Sequence, residues 1–546
     1  MPRKKAVALL SRLCLENMAT HMQSVWVKDY SENYLDEYQF RYLLGPFNEL
    51  AGSLVQDLLQ LLGESRRLTR AMLHLLLQPH LTQLSLRCCP GLISNAIAQL
   101  IVVRCTSLSS LDLNGCSRVP AATLVDLLEG LPRLSKLGLA GTQANTQVLA
   151  AAGSCCKQLR ELDISHCQKV VPGSLLHLVY DQTESTLCCP ALRVLQAHGI
   201  GHRNHSPDFT RDLAFVLLAL PRLEFLANSC VMDALCLIQM KSFGSSRGMP
   251  GFPSLEELAQ SRQAVHGGGD SWLTLPLRQV EDVEESFLAL VYSMCPELVV
   301  ASVSLTDVPC CSWGGLAWSH LTQLTVQCTG YWGRLLTEML PVVQSLGGQL
   351  KSLSLNGFSY NDEFSFCALL NCCPNLCAFS SHLNAPLEPV WPANAMPNGE
   401  PAAEPQDWVL DLLHHPFPKL RHFSLGLACS FGSLPSRHAA VLGASLVSLL
   451  NRSPSLETVA LLAIPFSLDS IFQKVLVAPG NALGNLRELS LAESQVSSLT
   501  VRWLLALDNP LSSLNLVRCP AIHRQDYDQF LQTVRRERLE LAITWQ

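Results

Sequence analysis

Leu108-Ser-Ser-Leu111-Asp-Leu113-Asn-Gly-Cys116 has the form L-x-x-L-x-L-x-x-C. The same spacing returns at Leu81-Leu84-Leu86-Cys89, Leu134-Leu137-Leu139-Thr142 and Leu159-Leu162-Ile164-Cys167, with successive copies starting 27, 26 and 25 residues apart. That period holds one strand and one helix, the mark of a leucine-rich repeat solenoid. Strand alternation sends Leu111 and Leu113 to one face and Ser110, Asp112 and Asn114 to the other. A single repeat cannot bury its leucines alone, so neighbours must stack into a continuous core.

The expected fold class is therefore α/β: a leucine-rich repeat solenoid, a curved parallel sheet with outer helices, preceded by a small helical N-terminal module. A chain of 546 residues, 48% hydrophobic and only 15% charged, suits such an array, which grows without needing a new core. The net charge of −6 offers no general basic field for a phosphate backbone, so nucleic acid is not an expected partner. No stretch approaches the length of a transmembrane helix, and no membrane partner is expected. The basic start Met1-Pro-Arg-Lys-Lys is followed by an apolar run, Ala6 to Leu10, that Arg12 and Glu16 cut short, so it does not read as a signal peptide. The 22 cysteines are then expected as thiols in the cytoplasm or nucleus. Five adjacent pairs, Cys88-Cys89, Cys155-Cys156, Cys188-Cys189, Cys310-Cys311 and Cys372-Cys373, lack zinc-knuckle spacing, and three of them precede a strand by a few residues and read as small apolar packing residues at helix-to-strand turns.

Lys5 to about Val27 reads as a helix in which Leu10, Cys14, Met18 and Met22 recur every fourth residue as one stripe, widened by Leu9 and Leu13. Such a helix either covers the leucines at the open end of the solenoid or offers its stripe to a groove on another protein.

The string Leu10-x-x-x-Cys14-x-x-x-Met18 resembles the elongin-binding box of cullin-RING ubiquitin ligase substrate receptors. By that resemblance Leu10 enters a hydrophobic pocket of elongin C, Cys14 packs beside it one turn on, and Leu13 and Met18 complete the apolar set. Leu9 stands where that box has a small or polar residue. The longer string Leu13-Cys14-Leu15-x-x-Met18-x-Thr20-His21-Met22 is similar to the start of the zyg-eleven and Zer-one receptors, which carry the box at their N-terminus, then a second box, then leucine-rich repeats. Pro46, Leu50, Leu54 and Leu58 follow about thirty residues later, similar to a cullin-2-type box in which a proline opens a helix that touches the cullin. An F-box reading of that segment is the alternative. The armadillo-like domain of those receptors has no counterpart, so their glycine-degron recognition is not implied.

The organisation expected is residues 1–65 as the adaptor-docking module, 66–239 as a first repeat block, 240–279 as a flexible insertion rich in Gly and Pro, and 280–383 as a second block. Residues 384–406 read as a Pro-rich loop and 407–546 as further repeats with a terminal cap. Helical spacing is expected at Val283 to Tyr292, and a strand at Leu298.

Neither a catalytic constellation nor a cofactor or metal site is expected. Gly244-Ser-Ser246-Arg-Gly248 matches a nucleophile elbow but lies among breakers rather than between a strand and a helix. His198, His202 and His205, near Asp208, read as a solvated loop. The outward strand positions are polar, among them Asp112, Asn114, Glu161, Asp163, Gln323 and Asn356, and those picked out contain no lysine. They form the candidate surface for a protein substrate. The function expected is a non-catalytic substrate-recognition subunit that binds elongin C, elongin B and a cullin through its N-terminus. The alternative is a leucine-rich repeat scaffold or chaperone-type binder without a ligase.

Overall fold

The computed structural model describes residues 2, 9–29, 47–201, 207–243, 250–265, 273–306, 316–330, 333–385, 412–428, 434–478, 483–507 and 509–545. The chain divides into two compact units, one built on Ala8–Val280 with Leu290–Glu297, the other on Glu281–Ala289 with Leu298–Gln546. Each is a stack of parallel strands joined by helices, and the fold is an α/β leucine-rich repeat solenoid.

In the N-terminal unit, strands β1 (Gln83–Ser85), β2 (Ser110–Asp112), β3 (Lys136–Gly138) and β4 (Glu161–Asp163) pair in sequence order and are followed by Val194–Gln196 and Phe225–Ala227. The register aligns Leu84 with Leu111, Leu111 with Leu137, Leu137 with Leu162, Leu162 with Leu195 and Leu195 with Leu226. Every inward leucine or isoleucine of the first four repeats is at most 3% exposed. Burial of each such leucine is worth about 1.5–3 kcal/mol relative to exposure, and each column draws its partner from the next repeat.

Cysteine at the consensus ninth position ties one repeat to the one before. Cys167 Sγ lies 3.0 Å from the Leu139 carbonyl and Thr142 Oγ1 donates to the same oxygen at 2.7 Å. Cys519 Sγ repeats the contact with the Leu491 carbonyl at 3.0 Å. In three of the adjacent pairs the second cysteine is fully buried, at Cys156, Cys189 and Cys373. Burial pushes each of those thiols up to about 12. Cys310-Cys311 lies outside the described residues.

The first repeat is covered by α2 (Gly52–Glu64) and α3 (Arg70–Leu76), not by the first helix. Val55, Leu58 and Leu62 of α2 are fully buried, and Gln56 Nε2 donates to Thr82 Oγ1 at 2.8 Å beside β1. Thr69 caps α3 by accepting from the Met72 N–H.

In the C-terminal unit the strands up to Thr458–Leu462 are longer, 5 to 8 residues each, and the last three are 3 residues each. Val300–Leu305, Gln323–Cys328, Ser352–Ser359, Ala378–Asn384, His422–Ala428, Thr458–Leu462, Glu488–Ser490, Ser513–Asn515 and Ala542–Thr544 pair in that order, all parallel. Phe379 and Phe423 stack in one column, ring centroids 5.8 Å apart. A bulge lies at Asn356/Phe358, and Gly357 there has φ +78 with a hypothetical Cβ 2.4 Å from the Cys328 carbonyl oxygen, so only glycine fits.

Several expected boundaries move. The insertion at 240–279 contains an ordered helix, Leu255–Val265. Its buried Arg262 donates from Nη1 to the carbonyls of Leu217 (2.5 Å), Leu218 (3.1 Å) and Leu220 (3.4 Å), which end the helix Pro207–Ala219. A cation there satisfies orphan carbonyls and the negative end of the helix dipole. Phe252 sits 5.0 Å edge-on to the His177 ring. A strand at Gln279–Glu284 replaces the start of the expected helix, which is instead Leu288–Met294 after a 3-10 turn. Its inward residues are Val280 and Val283, so the leucine spacing did not reveal it. The strand expected at Leu298 is Val300–Leu305. Asn384 closes a strand rather than opening a loop, and 386–411 lie outside the described residues.

Candidate docking helix and ladder face

Helix α1 spans Leu10–His21 and passes directly into a π-helical turn, Met22–Val27. Leu9 before it is extended at ψ 139, and Lys5 to Ala8 of the expected helix lie outside the described residues. Along an α-helix each residue turns roughly 100°, so a residue every fourth position drifts about 40° per step. Leu10, Cys14, Met18 and Met22 then stand at about 0, 40, 80 and 120°, and the stripe winds around the helix instead of staying on one face. Burial follows that drift. Leu10 is 76% exposed, Cys14 exposed, Met18 intermediate and Met22 fully buried.

The helix therefore has two apolar faces. Ala19, Met22 and Val27 are buried, with α1 packed on α2 and the π turn on α3. Trp26 closes this side by meeting the Phe47 ring edge-on at 5.5 Å. Leu9, Leu10, Leu13 and Cys14 point the other way into solvent. Arg12 and Glu16 form an exposed ion pair at 3.0 Å, one turn apart on the flank. The four candidate docking residues are thus brought together, with Leu10, Leu13 and Cys14 outward and Met18 at the edge.

The second box is arranged differently. Pro46 lies outside the described residues. Helix α2 begins at Gly52, after the extended Ala51, so Leu50 lies in the turn before the helix. Leu50 and Leu54 are half-buried, while Leu58 belongs to the core.

On the ladder face, Asp112 Oδ2 accepts from Ser85 Oγ at 2.9 Å and its Oδ1 from the Asn114 N–H at 3.1 Å. Asn114 Nδ2 donates to Asp163 Oδ2 at 3.3 Å, and Asn114 Oδ1 accepts from the Ala140 N–H at 2.8 Å. Asp163 Oδ1 takes the Ser165 N–H at 3.0 Å. These bonds link four successive repeats and hold the carboxylates in place. The face is not free of lysine. Lys136 of β3 lies on it and pairs with Glu161 at 2.7 Å, a position the alternation in Lys136-Leu137-Gly138 already marks as outward. Gly138 leaves a notch, since a Cβ there would stand 2.8 Å from Asp112 Oδ1 and from Asn114 Oδ1. The resulting shallow depression, about 220 Å³, is lined by Asp112, Asn114, Lys136, Glu161, Asp163 and Gln196. In the other unit Gln323 and Asn356 project from paired strands among Thr325, Ser352 and Ser354.

Among the described residues no group of three or more His, Cys, Asp or Glu is placed to hold a metal ion, and no helix is long and apolar enough to cross a membrane. His198 is exposed. His202, His205 and the Gly244–Gly248 motif lie outside the described residues.

No protein-family model and no curated protein matches the chain. Among solved structures it is similar to the crystal structure of the Rad7 and Elc1 complex in yeast, at 13% identity and a TM-score of 0.37, covering 97% of this chain and 91% of that one. It is also similar to the leucine-rich repeat-containing protein LegL7 from Legionella pneumophila, at 16% identity and a TM-score of 0.29, covering 55% of this chain and 82% of that one.

Proposed function

We propose that the chain is a substrate-recognition subunit of a cullin-RING ubiquitin ligase, docking on elongin C of an elongin B–C pair and on a cullin of the cullin-2 type. The carrying observation is the outward stripe of Leu10, Leu13 and Cys14 on a helix whose opposite face is clamped to the cap. Were α1 a simple cover, its leucines would be spent on the first repeat. Instead α2 and α3 perform that task, and three large apolar side chains remain in water at Leu9, Leu10 and Leu13. Helix-in-groove recognition uses such a preformed stripe, and fixing the helix beforehand spares the partner the entropy of ordering it.

In this reading the solenoid supplies no bond-making group. Its polar ladder holds a protein substrate, and the chain contributes proximity and orientation between that substrate and the ligase, in the cytoplasm or nucleus. A second reading, a scaffold or chaperone-type binder without a ligase, draws on Leu58: its burial in the cap leaves only Leu50 and Leu54 part-exposed for a cullin.

The test is co-purification of elongins B and C with the full chain and with Leu10→Asp. Aspartate near a helix N-terminus suits the helix dipole, so the helix itself survives the change. The reading expects both elongins with the wild type and neither with the variant. Their absence from the wild type, or their retention by Leu10→Asp, refutes it, and capture of a Skp-type adaptor instead transfers the chain to the F-box class.

A further inference from the structure

The π turn at Met22–Val27 is the feature that neither the cap reading nor the elongin box uses. Continued α-winding from Met22, at about 120°, would put Val25 near 60° and Val27 near 260°, off the core side. A turn with i→i+5 bonding advances only roughly 80° per residue, which brings Val25 to about 0° and Val27 to about 160°. The burial agrees with the second set: Val25 is 50% exposed, Val27 only 5%. Val25 thereby lines up with Leu10 and Cys14. His21, exposed with its ring held by Nδ1 against the Asn17 carbonyl at 3.2 Å, lies between them.

We infer that the docking face does not end at Met18 but runs from Leu10 through His21 to Val25, and that the π turn sets its far end. This rests on the elongin reading and names further contact residues for the same partner. Size favours the longer face. A groove enclosing half of a helix about 10 Å across buries about 190 Å² over Leu10–Met18, but about 350 Å² over Leu10–Val25. A standard interface needs roughly 800 Å² per partner, so the longer face supplies somewhat under half of that, against about a quarter for a face that ends at Met18. The Arg12–Glu16 pair sits on the flank, leaving the face itself uncharged at neutral histidine. The groove that fits is an uncharged apolar one, open to an aliphatic side chain at both ends.

The experiment measures the affinity of purified elongin B–C for the full chain carrying Val25→Lys, Val25→Gln, Gln23→Lys or Leu10→Asp. Lysine near a helix C-terminus is favourable to the helix, and Val25 is exposed, so circular dichroism and the melting temperature should not move. Val25→Gln provides the uncharged counterpart should they do so. The expected result is at least tenfold weaker binding for both Val25 variants and less than twofold change for Gln23→Lys, whose exposed side chain lies off the face. If Leu10→Asp abolishes binding while both Val25 variants stay within twofold, the face stops before His21 and the inference fails alone. If Leu10→Asp itself leaves binding unchanged, the elongin reading fails with it.

Discussion

Arg334→Ala should be among the most damaging single changes in the C-terminal unit. Arg334 and Glu285 have side chains only 8% and 2% exposed, with Nη1 to Oε2 at 2.8 Å. A second arm reaches Glu338 at 2.6 Å, and Glu338 in turn accepts the Leu335 N–H at 3.1 Å, so the guanidinium also braces the turn that starts Leu336–Met339. Removing the cation leaves the Glu285 carboxylate desolvated without its counter-charge, a loss worth about 3–5 kcal/mol. For a unit of this size that lowers the melting temperature by about 6–20 °C. Replacing both partners, as in Glu285→Met with Arg334→Met, should instead be close to neutral, because the intact pair gains little beyond its own desolvation cost. Urea and thermal melts of the full chain, followed by circular dichroism, read both variants. A loss below about 1 kcal/mol for Arg334→Ala, or a double variant as damaged as the single one, would refute the argument that an uncompensated buried charge sets the cost.

Asp212 makes stability depend on pH in the N-terminal unit. Desolvation raises its carboxyl to about 7, against the pull of the Gly173 N–H that donates to Oδ2. A carboxyl raised in the folded state binds its proton more readily there, so its contribution is complete below pH about 4 and is lost as pH rises through 7. Urea midpoints of the wild type should fall over that window relative to Asp212→Asn, whose slope should be flatter. An identical pH dependence for the two proteins would exclude this role. Among the described cysteines, Cys14 and Cys88 are exposed, whereas Cys105, Cys156, Cys189, Cys295 and Cys373 are buried and pushed up to about 12. Alkylation followed by mass spectrometry should label the first two rapidly in native protein and the other five only after denaturation. Rapid labelling of those five in native protein would show that the stack opens.

The repeat stack was legible because each repeat states its own inward face. Leu81, Leu108, Leu134 and Leu159 open strands whose alternation needs no knowledge of distant residues. The polar ladder followed from the same alternation, including Asp112, Asn114 and Asp163. It erred only where Lys136 was left out, and that residue was readable by the same rule. The strand at Gln279–Glu284 was hidden because its two buried residues, Val280 and Val283, stand three apart, a helical rather than a period-2 spacing, with Asp282 at φ +51 between them. The ordered helix Leu255–Val265 was masked by flanking glycines and prolines. What anchors it is Arg262 on the carbonyls of a helix more than forty residues earlier, a partner no local pattern reports.

The N-terminal helix divides along the same line. Sequence alone determined that it carries an apolar stripe, widened by Leu9 and Leu13, with Leu10 and Cys14 one turn apart. Only the tertiary structure decided which of them face water. The cap helices claimed Ala19, Met22 and Val27, and the π turn re-phased what followed. Periodicity counts residues around an axis, whereas burial depends on where a neighbour sits, and in this molecule that neighbour, α2, is folded from residues thirty and more positions further along the chain.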